Sequence, residues 1–326
     1  MKKFLMGGLF LLTTSFLLAQ TNIDNVINIK EVERIEGNLS SDNMRGRKIF
    51  TPDIDRAADF IANEFKKAGL EHLQTGTPKG RNDTGNYRQE FTVGSGHPQQ
   101  LANVVGILPG KTRKDEYVIF SAHYDHLGIG KPVNGDSIYN GANDDASGVT
   151  AVIMLAKYFK ALDDNERTIV FAAFTGEEIG GLGSRYFSRQ FDPGKVVAMF
   201  NIEMIGTESK WGKNSAYITG YEKTDMGQIL QKNLEGTGFT FYPDPYTSQN
   251  LFYRSDNATL AQLGVPAHTI STSKMDSEPN YHRVTDEIET LDLDNMTMII
   301  EAIALSSKSI TAGKDTPTRV KAEELR

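Results

Sequence analysis

Between Tyr117 and Ile202 short β-branched or aromatic runs alternate with helical ones, and this alternation restricts the fold more tightly than any other feature of the chain. Tyr117–Phe120, Thr168–Phe174 and Lys195–Ile202 read as strands, with Val149–Leu162 and Gly181–Phe187 as helices between them. Strand–helix–strand connections of this length give parallel pairings, and their helices cover both faces of the sheet. Upstream, Thr51-Pro52-Asp53 opens an amphipathic helix with Ile54, Ala57, Ala58, Ile61, Phe65 and Ala68 on one face, closed by Gly69. Tyr87–Val93 and Asn103–Leu108 read as strands, with a polar loop at residues 74–86 before them. Downstream, Ser215–Thr219 and Val265–Ile270 add strands, and Asp225–Glu235, Asp256–Leu263 and Leu293–Ser307 add helices. The expected fold is a three-layer αβα sandwich around a twisted, mostly parallel mixed sheet.

Residues 1–19 carry Lys2-Lys3, an apolar run and a Leu-Leu-Ala-Gln junction, the pattern of a secretory signal peptide. The run is short for a bilayer span, so the expectation is an exported protein, periplasmic or extracellular, with no stable membrane association after cleavage. Residues 20–313 read as a single domain, and the charged stretch 314–326 as a frayed tail. There is no cysteine, which excludes disulfides and thiolate ligands. With 35 Lys and Arg against 42 Asp and Glu the chain is acidic, and nucleic acid is excluded as an expected partner.

In open parallel sheets ligands gather beyond the carboxyl ends of the strands, and the chemistry-bearing residues fall there. The stretch 141–148, Gly-Ala-Asn-Asp-Asp-Ala-Ser-Gly, sets two adjacent carboxylates in a turn of small residues ahead of an apolar helix. That is a poor way to build a core and a good way to build a metal site. His123 and Asp125 follow the first strand, Glu177 and Glu178 the second, and Glu203 the third, while His282 stands in Asn-Tyr-His-Arg. Imidazole and carboxylate donors without thiolate suit zinc. Adjacent glutamates diverge, so one of the pair can ligate while the other acts as general base; a helix start enriched in acids is the plain alternative for that pair. Asp125 is placed to accept the second imidazole N–H of His123, or to be a solvated loop carboxylate. His126 can approach from its loop without a defined role, and His268 reads as a hydrogen-bonded strand residue.

His-x-Asp, Asn-Asp-Asp-Ala-Ser-Gly, Gly-Glu-Glu and a late His, in that order, resemble the zinc exopeptidases of peptidase family twenty-eight, the group of aminopeptidase Y and the bacterial leucyl aminopeptidases. The resemblance spans residues 35–310. It implies two zinc ions, one held by His123, Asp144 and Glu203 and the other by Asp144, Glu178 and His282, with Asp144 shared. It also implies Glu177 as the base and a cis peptide between Asp144 and Asp145. Glu203 departs from several relatives, which carry Asp there. Arg254, just before Ser255-Asp256, stands where some relatives place an active-site arginine, although Ser255 or Asp256 can equally cap the following helix. Tyr246 and Tyr253, on an aromatic loop, are candidates for a substrate pocket. The implied protein is an exported dizinc aminopeptidase acting on peptides. A one-zinc glutaminyl cyclase and a non-catalytic binding module of the same fold are the rivals, and the complete ligand set with Glu177 stands against both.

Overall fold

The computed structural model describes residues 23–72, 87–94 and 96–325; the stretches read as a signal peptide and as the loop 74–86 lie outside them. In chain order the elements are α1 (Ile29–Leu39), α2 (Pro52–Lys67), β1 (Glu71–His72), β2 (Arg88–Val93), β3 (Gln99–Leu108), β4 (Arg113–His123), β5 (Gly128–Val133) and β6 (Asp136–Tyr139). They continue with α3 (Ser147–Leu162), β7 (Arg167–Phe174), α4 (Leu182–Ser188), β8 (Val196–Ile202), β9 (Ser215–Ile218) and α5 (Met226–Asn233). The last are β10 (Thr240–Pro243), α6 (Asn257–Ala261), β11 (Ala267–Ser271) and α7 (Leu293–Thr311).

The main sheet runs β1-β3-β7-β4-β8-β11-β9-β10, with β2 also paired to β3. Its centre, β7-β4-β8-β11, is parallel. The flanks turn antiparallel where β3 meets β7 and β9 meets β11. This is the three-layer mixed-sheet fold, its parallel character concentrated where the crossover helices are. Alternation along β4 divides the core: Val118, Phe120 and Ala122 join one layer and Ile119 the other. The Phe120 ring lies 5.4, 5.8 and 4.8 Å from Phe159, Phe171 and Phe200, tying α3 to three neighbouring strands. The opposite face is covered by Phe187 of α4 and by Leu260 and Ala261 of α6.

Local signals account for most boundaries. Thr51 caps α2 by accepting from the Asp53 N–H at 3.3 Å, Pro52 takes the first position, and Gly69 follows the end at φ 74°. The β5–β6 hairpin was not expected, yet Asn134-Gly135 carries positive φ at both positions, 53° and 94°, as a two-residue hairpin turn requires. A largely exposed β5 and a half-buried β6, with little apolar alternation, hid it. Beyond α7 the chain docks rather than frays. Arg319 donates to the carbonyls of Val196 at 2.7 Å and Pro193 at 2.9 Å, and Val320 is buried. One anchoring arginine and one valine outweigh a composition that reads as solvent-facing.

Candidate metal centre

Because β4 lies between β7 and β8, three carboxyl ends open side by side, and each delivers a candidate side chain. His123 ends β4, Glu177 and Glu178 follow β7, and Glu203 follows β8; Asp144 comes from the turn before α3 and His282 from the loop between β11 and α7. His123 Nε2 stands 3.2 Å from Asp144 Oδ1, and His282 Nε2 stands 3.2 Å from Asp144 Oδ2 and 3.1 Å from Glu178 Oε2. A tetrahedral ion with bonds of about 2.0–2.2 Å has donor–donor edges of roughly 3.3–3.6 Å, so these spacings are close to those of a zinc site. Asp144 faces both imidazoles, one with each oxygen.

The turn is held from below. Both oxygens of Asp286 accept backbone N–H groups, from Asn143 at 2.8 Å and Asp144 at 3.0 Å. The Asp144–Asp145 peptide is cis, as the resemblance implied. Asp145 points away: it accepts from the N–H groups of Gly148 and Met204 at 3.1 Å each and of His123 at 3.3 Å, joining the turn to β4 and β8. Gly148 leaves the space for this, since a Cβ there would stand 2.2 Å from the Ile202 carbonyl oxygen.

Asp125 is placed differently from expectation. His123 Nδ1 is 3.2 Å from the backbone carbonyl of Asp125 and 3.9 Å from its carboxylate, so the carbonyl is the nearer acceptor. The Asp125 carboxylate instead accepts the Glu177 N–H at 3.1 Å, fixing the backbone of the Glu177-Glu178 pair. Ser255 caps nothing; its hydroxyl donates to Glu203 and receives the Asn201 amide at 2.6 Å. His126 is the residue for which sequence reasoning found no role. Its Nδ1 lies 2.8 Å from Glu178 Oε1, the oxygen His282 does not face, and 3.9 Å from Asp144 Oδ2. His126, Asp144 and Glu178 fall within one ligand-sized sphere, but the 2.8 Å spacing is that of a charge-assisted hydrogen bond, and we assign it so. Its place three residues after His123 was the available signal.

Electrostatics divide the carboxylates. Burial pushes Asp144 upward, but the facing imidazoles of His123 and His282 outweigh it and hold the group well below the usual range. Burial raises Glu177 well above that range; Glu203, Asp256 and Asp125 add to the rise and His123 opposes it. Burial likewise lifts Glu203 to about 7, against the His123 charge, and Asp125 to about 6. The surroundings thus favour the charged form at Asp144 and the protonated form at Glu177, the division that acid–base chemistry requires. Among the described residues, Asp144 Oδ2 and Asp125 Oδ2 are buried without a hydrogen-bond partner. Orphaned carboxylate oxygen at Asp144, with facing imidazoles and no thiolate, fits a divalent ion.

Beside these groups opens a small cavity of about 70 Å³ that Glu177, Glu203 and His282 border. Tyr217, Met204, Leu251 and Met275 line it together with Thr219 and Thr269. Arg254 reaches its wall, with its guanidinium 3.3 Å from Gln249 Oε1. The two tyrosines expected there are elsewhere. Tyr246 is buried behind Tyr217, ring to ring at 5.5 Å, and Tyr253 packs on Phe252 at 5.2 Å. From that stretch Leu251 and Arg254 reach the cavity, while the tyrosines in its wall are Tyr217 of β9 and Tyr281 beside His282. His268 is a satisfied strand residue, bonded at 2.8 Å to both the Thr219 carbonyl and the Thr224 hydroxyl.

Fold and site together define an α/β protein with a histidine–carboxylate centre at the carboxyl ends of its parallel strands. Residues 103–306 match the model of peptidase family M28, and the chain belongs to that family. A "probable leucine aminopeptidase" of Trichophyton verrucosum is 29% identical over 204 residues, 60% of this chain and 53% of that protein. A "probable zinc metalloprotease" of Pyrenophora teres f. teres is 37% identical over 111 residues, 33% of this chain and 23% of that protein. The chain thus spans about half the length, or less, of the curated relatives it matches. Among solved structures, the LapA aminopeptidase of Legionella pneumophila superposes with a TM-score of 0.69 at 19% identity, over 90% of this chain and 74% of that one. The glutaminyl cyclase of Porphyromonas gingivalis gives 0.66 at 16% identity, over 87% and 99%. These two likenesses speak for the fold alone.

Proposed function

We propose that the chain is an exported dizinc aminopeptidase. The observation that carries this reading is Asp144, facing His123 with one oxygen and His282 with the other at 3.2 Å, with Glu177 in the same cavity. His123, Asp144 and Glu203 would hold one ion, and Asp144, Glu178 and His282 the other. Zinc held by these residues would supply polarisation of the scissile carbonyl and a lowered pKa for the attacking water. Glu177 takes the proton from that water and delivers it to the departing amine, a task suited to a carboxyl that burial has made proton-retentive. Asp125 keeps Glu177 in place through its backbone N–H, and His126 turns Glu178 by holding one of its oxygens. The acidic wall of Glu177 and Glu203 suits a substrate's free ammonium group, and the cavity beside it suits one apolar side chain. Export rests on the character of residues 1–19.

Hydrolysis of amino-acid anilides, with and without chelator, tests the activity. Chelator-sensitive cleavage of free anilides but not of N-acetylated ones supports an aminopeptidase; indifference to chelator removes the proposal. The cyclase reading predicts saturation near one zinc per chain and closure of N-terminal glutamine, so zinc titration and a glutaminyl peptide separate the two.

Zinc uptake is expected to release protons. The facing carboxylates of Asp144 and Glu178 push His282 from 6.5 up to about 10, against its partial burial. In the zinc-free protein this pairing contributes stability that is full below about pH 6.5 and lost as pH rises through about 10. Near neutrality zinc must therefore displace the His282 proton, and apparent affinity should rise up to about tenfold per pH unit across that window. Calorimetric titration in buffers of differing ionisation enthalpy measures the release; an affinity flat from pH 6.5 to 9 would contradict it.

A further inference from the structure

Arg47 lies 56 residues before the first position that matches the family model, in a stretch to which nothing above assigns a role. It is fully buried, and its backbone adopts φ 47°. Its guanidinium spends its hydrogen bonds on carbonyls: Nε donates to Tyr124 at 2.8 Å, Nη1 to Leu39 at 2.7 Å and Asn140 at 2.6 Å, and Nη2 to Gly141 at 2.9 Å. Tyr124 stands between His123 and Asp125, while Asn140 and Gly141 lead into the turn that presents Asp144. One planar group therefore spans the two segments whose separation sets the His123–Asp144 distance. The Arg47 carbonyl in turn accepts the His126 N–H at 3.3 Å, so its backbone also anchors the residue that bonds Glu178. Gly46 is pressed against the hairpin, where a Cβ would stand 2.5 Å from the Tyr139 carbonyl oxygen.

We propose that Arg47 is a positioning residue of the metal centre, fixing the turn that carries Asp144 against the segment that carries His123. A buried cation normally pairs with a carboxylate, and one that instead binds backbone carbonyls on three segments works as a spacer of fixed shape. Lysine keeps the charge but reaches the carbonyls from a single point, so it cannot hold the same spacing. The proposal rests on a metal occupying this site and on no particular substrate.

The test compares wild type with Arg47→Lys and Arg47→Met. Zinc affinity is read by competition with a chelating dye, and melting temperature is read with and without zinc. Arg47→Lys, confirmed folded by circular dichroism, is expected to bind zinc about 10- to 100-fold more weakly, as losses of groups supporting metal ligands typically do. The melting-temperature gap between zinc-loaded and zinc-free protein should narrow accordingly, and turnover should fall with KM nearly unchanged. A merely structural arginine would lower both melting temperatures equally and leave zinc affinity intact, and that result in Arg47→Lys overturns the proposal. Arg47→Met takes this donor from four carbonyls, of which Gly141 keeps the Ala146 N–H at 3.2 Å; if it does not fold, the lysine variant decides alone. Failure of wild type to bind zinc would instead sink the metal reading itself.

Discussion

Replacing Glu177 with glutamine is expected to lower kcat by about 10²- to 10⁴-fold, about 3 to 5 kcal/mol of barrier, while zinc content stays at the wild-type value. Glutamine keeps the shape of the side chain and the backbone N–H bond to Asp125, and removes only the capacity to take and return a proton. The wild-type carboxyl is suited to that task by its surroundings: burial first, then the charges of Glu203, Asp256 and Asp125, raise it well above the normal range while His123 pulls it back. Its neighbour should behave otherwise. Glu178 faces His282 at 3.1 Å and His126 at 2.8 Å, so Glu178→Gln removes an anion from the candidate ligand set and should weaken zinc binding as well as turnover. Zinc analysis alongside steady-state kinetics on both variants reads the difference. If Glu177→Gln lost its metal in step with its activity, the roles of the two glutamates would be reversed.

Asp144→Asn should have the larger structural effect, because one carboxylate serves both proposed sites. The amide keeps the volume and the backbone bonds to Asp286, but it offers one weaker oxygen acceptor and turns an N–H toward one of two imidazoles. Loss of both ions and of measurable hydrolysis is the expected result. Zinc at about a thousand times its dissociation constant stabilises a protein by about 4 kcal/mol per site, so wild type stripped by chelator should melt on the order of 10 °C lower. The variant should show little further drop on chelation. Full zinc stoichiometry in Asp144→Asn, measured by atomic absorption after dialysis, would remove the shared-carboxylate arrangement.

Much of this molecule was legible in the one-dimensional pattern. Periodicity located β4, β7, β8, α3 and α7 because each buries a continuous apolar stripe or run, and burial of that kind is written residue by residue. The site residues were legible for a related reason. In a sheet of parallel strands the topology puts every carboxyl end at the same edge, so His123, Glu177, Glu178 and Glu203 had to share a neighbourhood once the strands were known. What local pattern could not carry was any contact made by a polar group across the chain. The Asp125 carboxylate chose the Glu177 N–H over the His123 ring, Ser255 turned from the helix end to Glu203, and Tyr246 withdrew behind Tyr217. Each had several satisfactory partners within reach of its side chain, and packing elsewhere decided among them. Arg47 is the extreme case. An arginine in a polar stretch reads as surface, and only the folded chain brings Leu39, Tyr124, Asn140 and Gly141 close enough for one guanidinium to join them. The sequence alone determined which strands form and which chemical groups stand at their ends, because hydrophobic burial is local and periodic. The tertiary structure decided which hydrogen bonds these buried polar groups make, because most of the deciding partners lie tens of residues away.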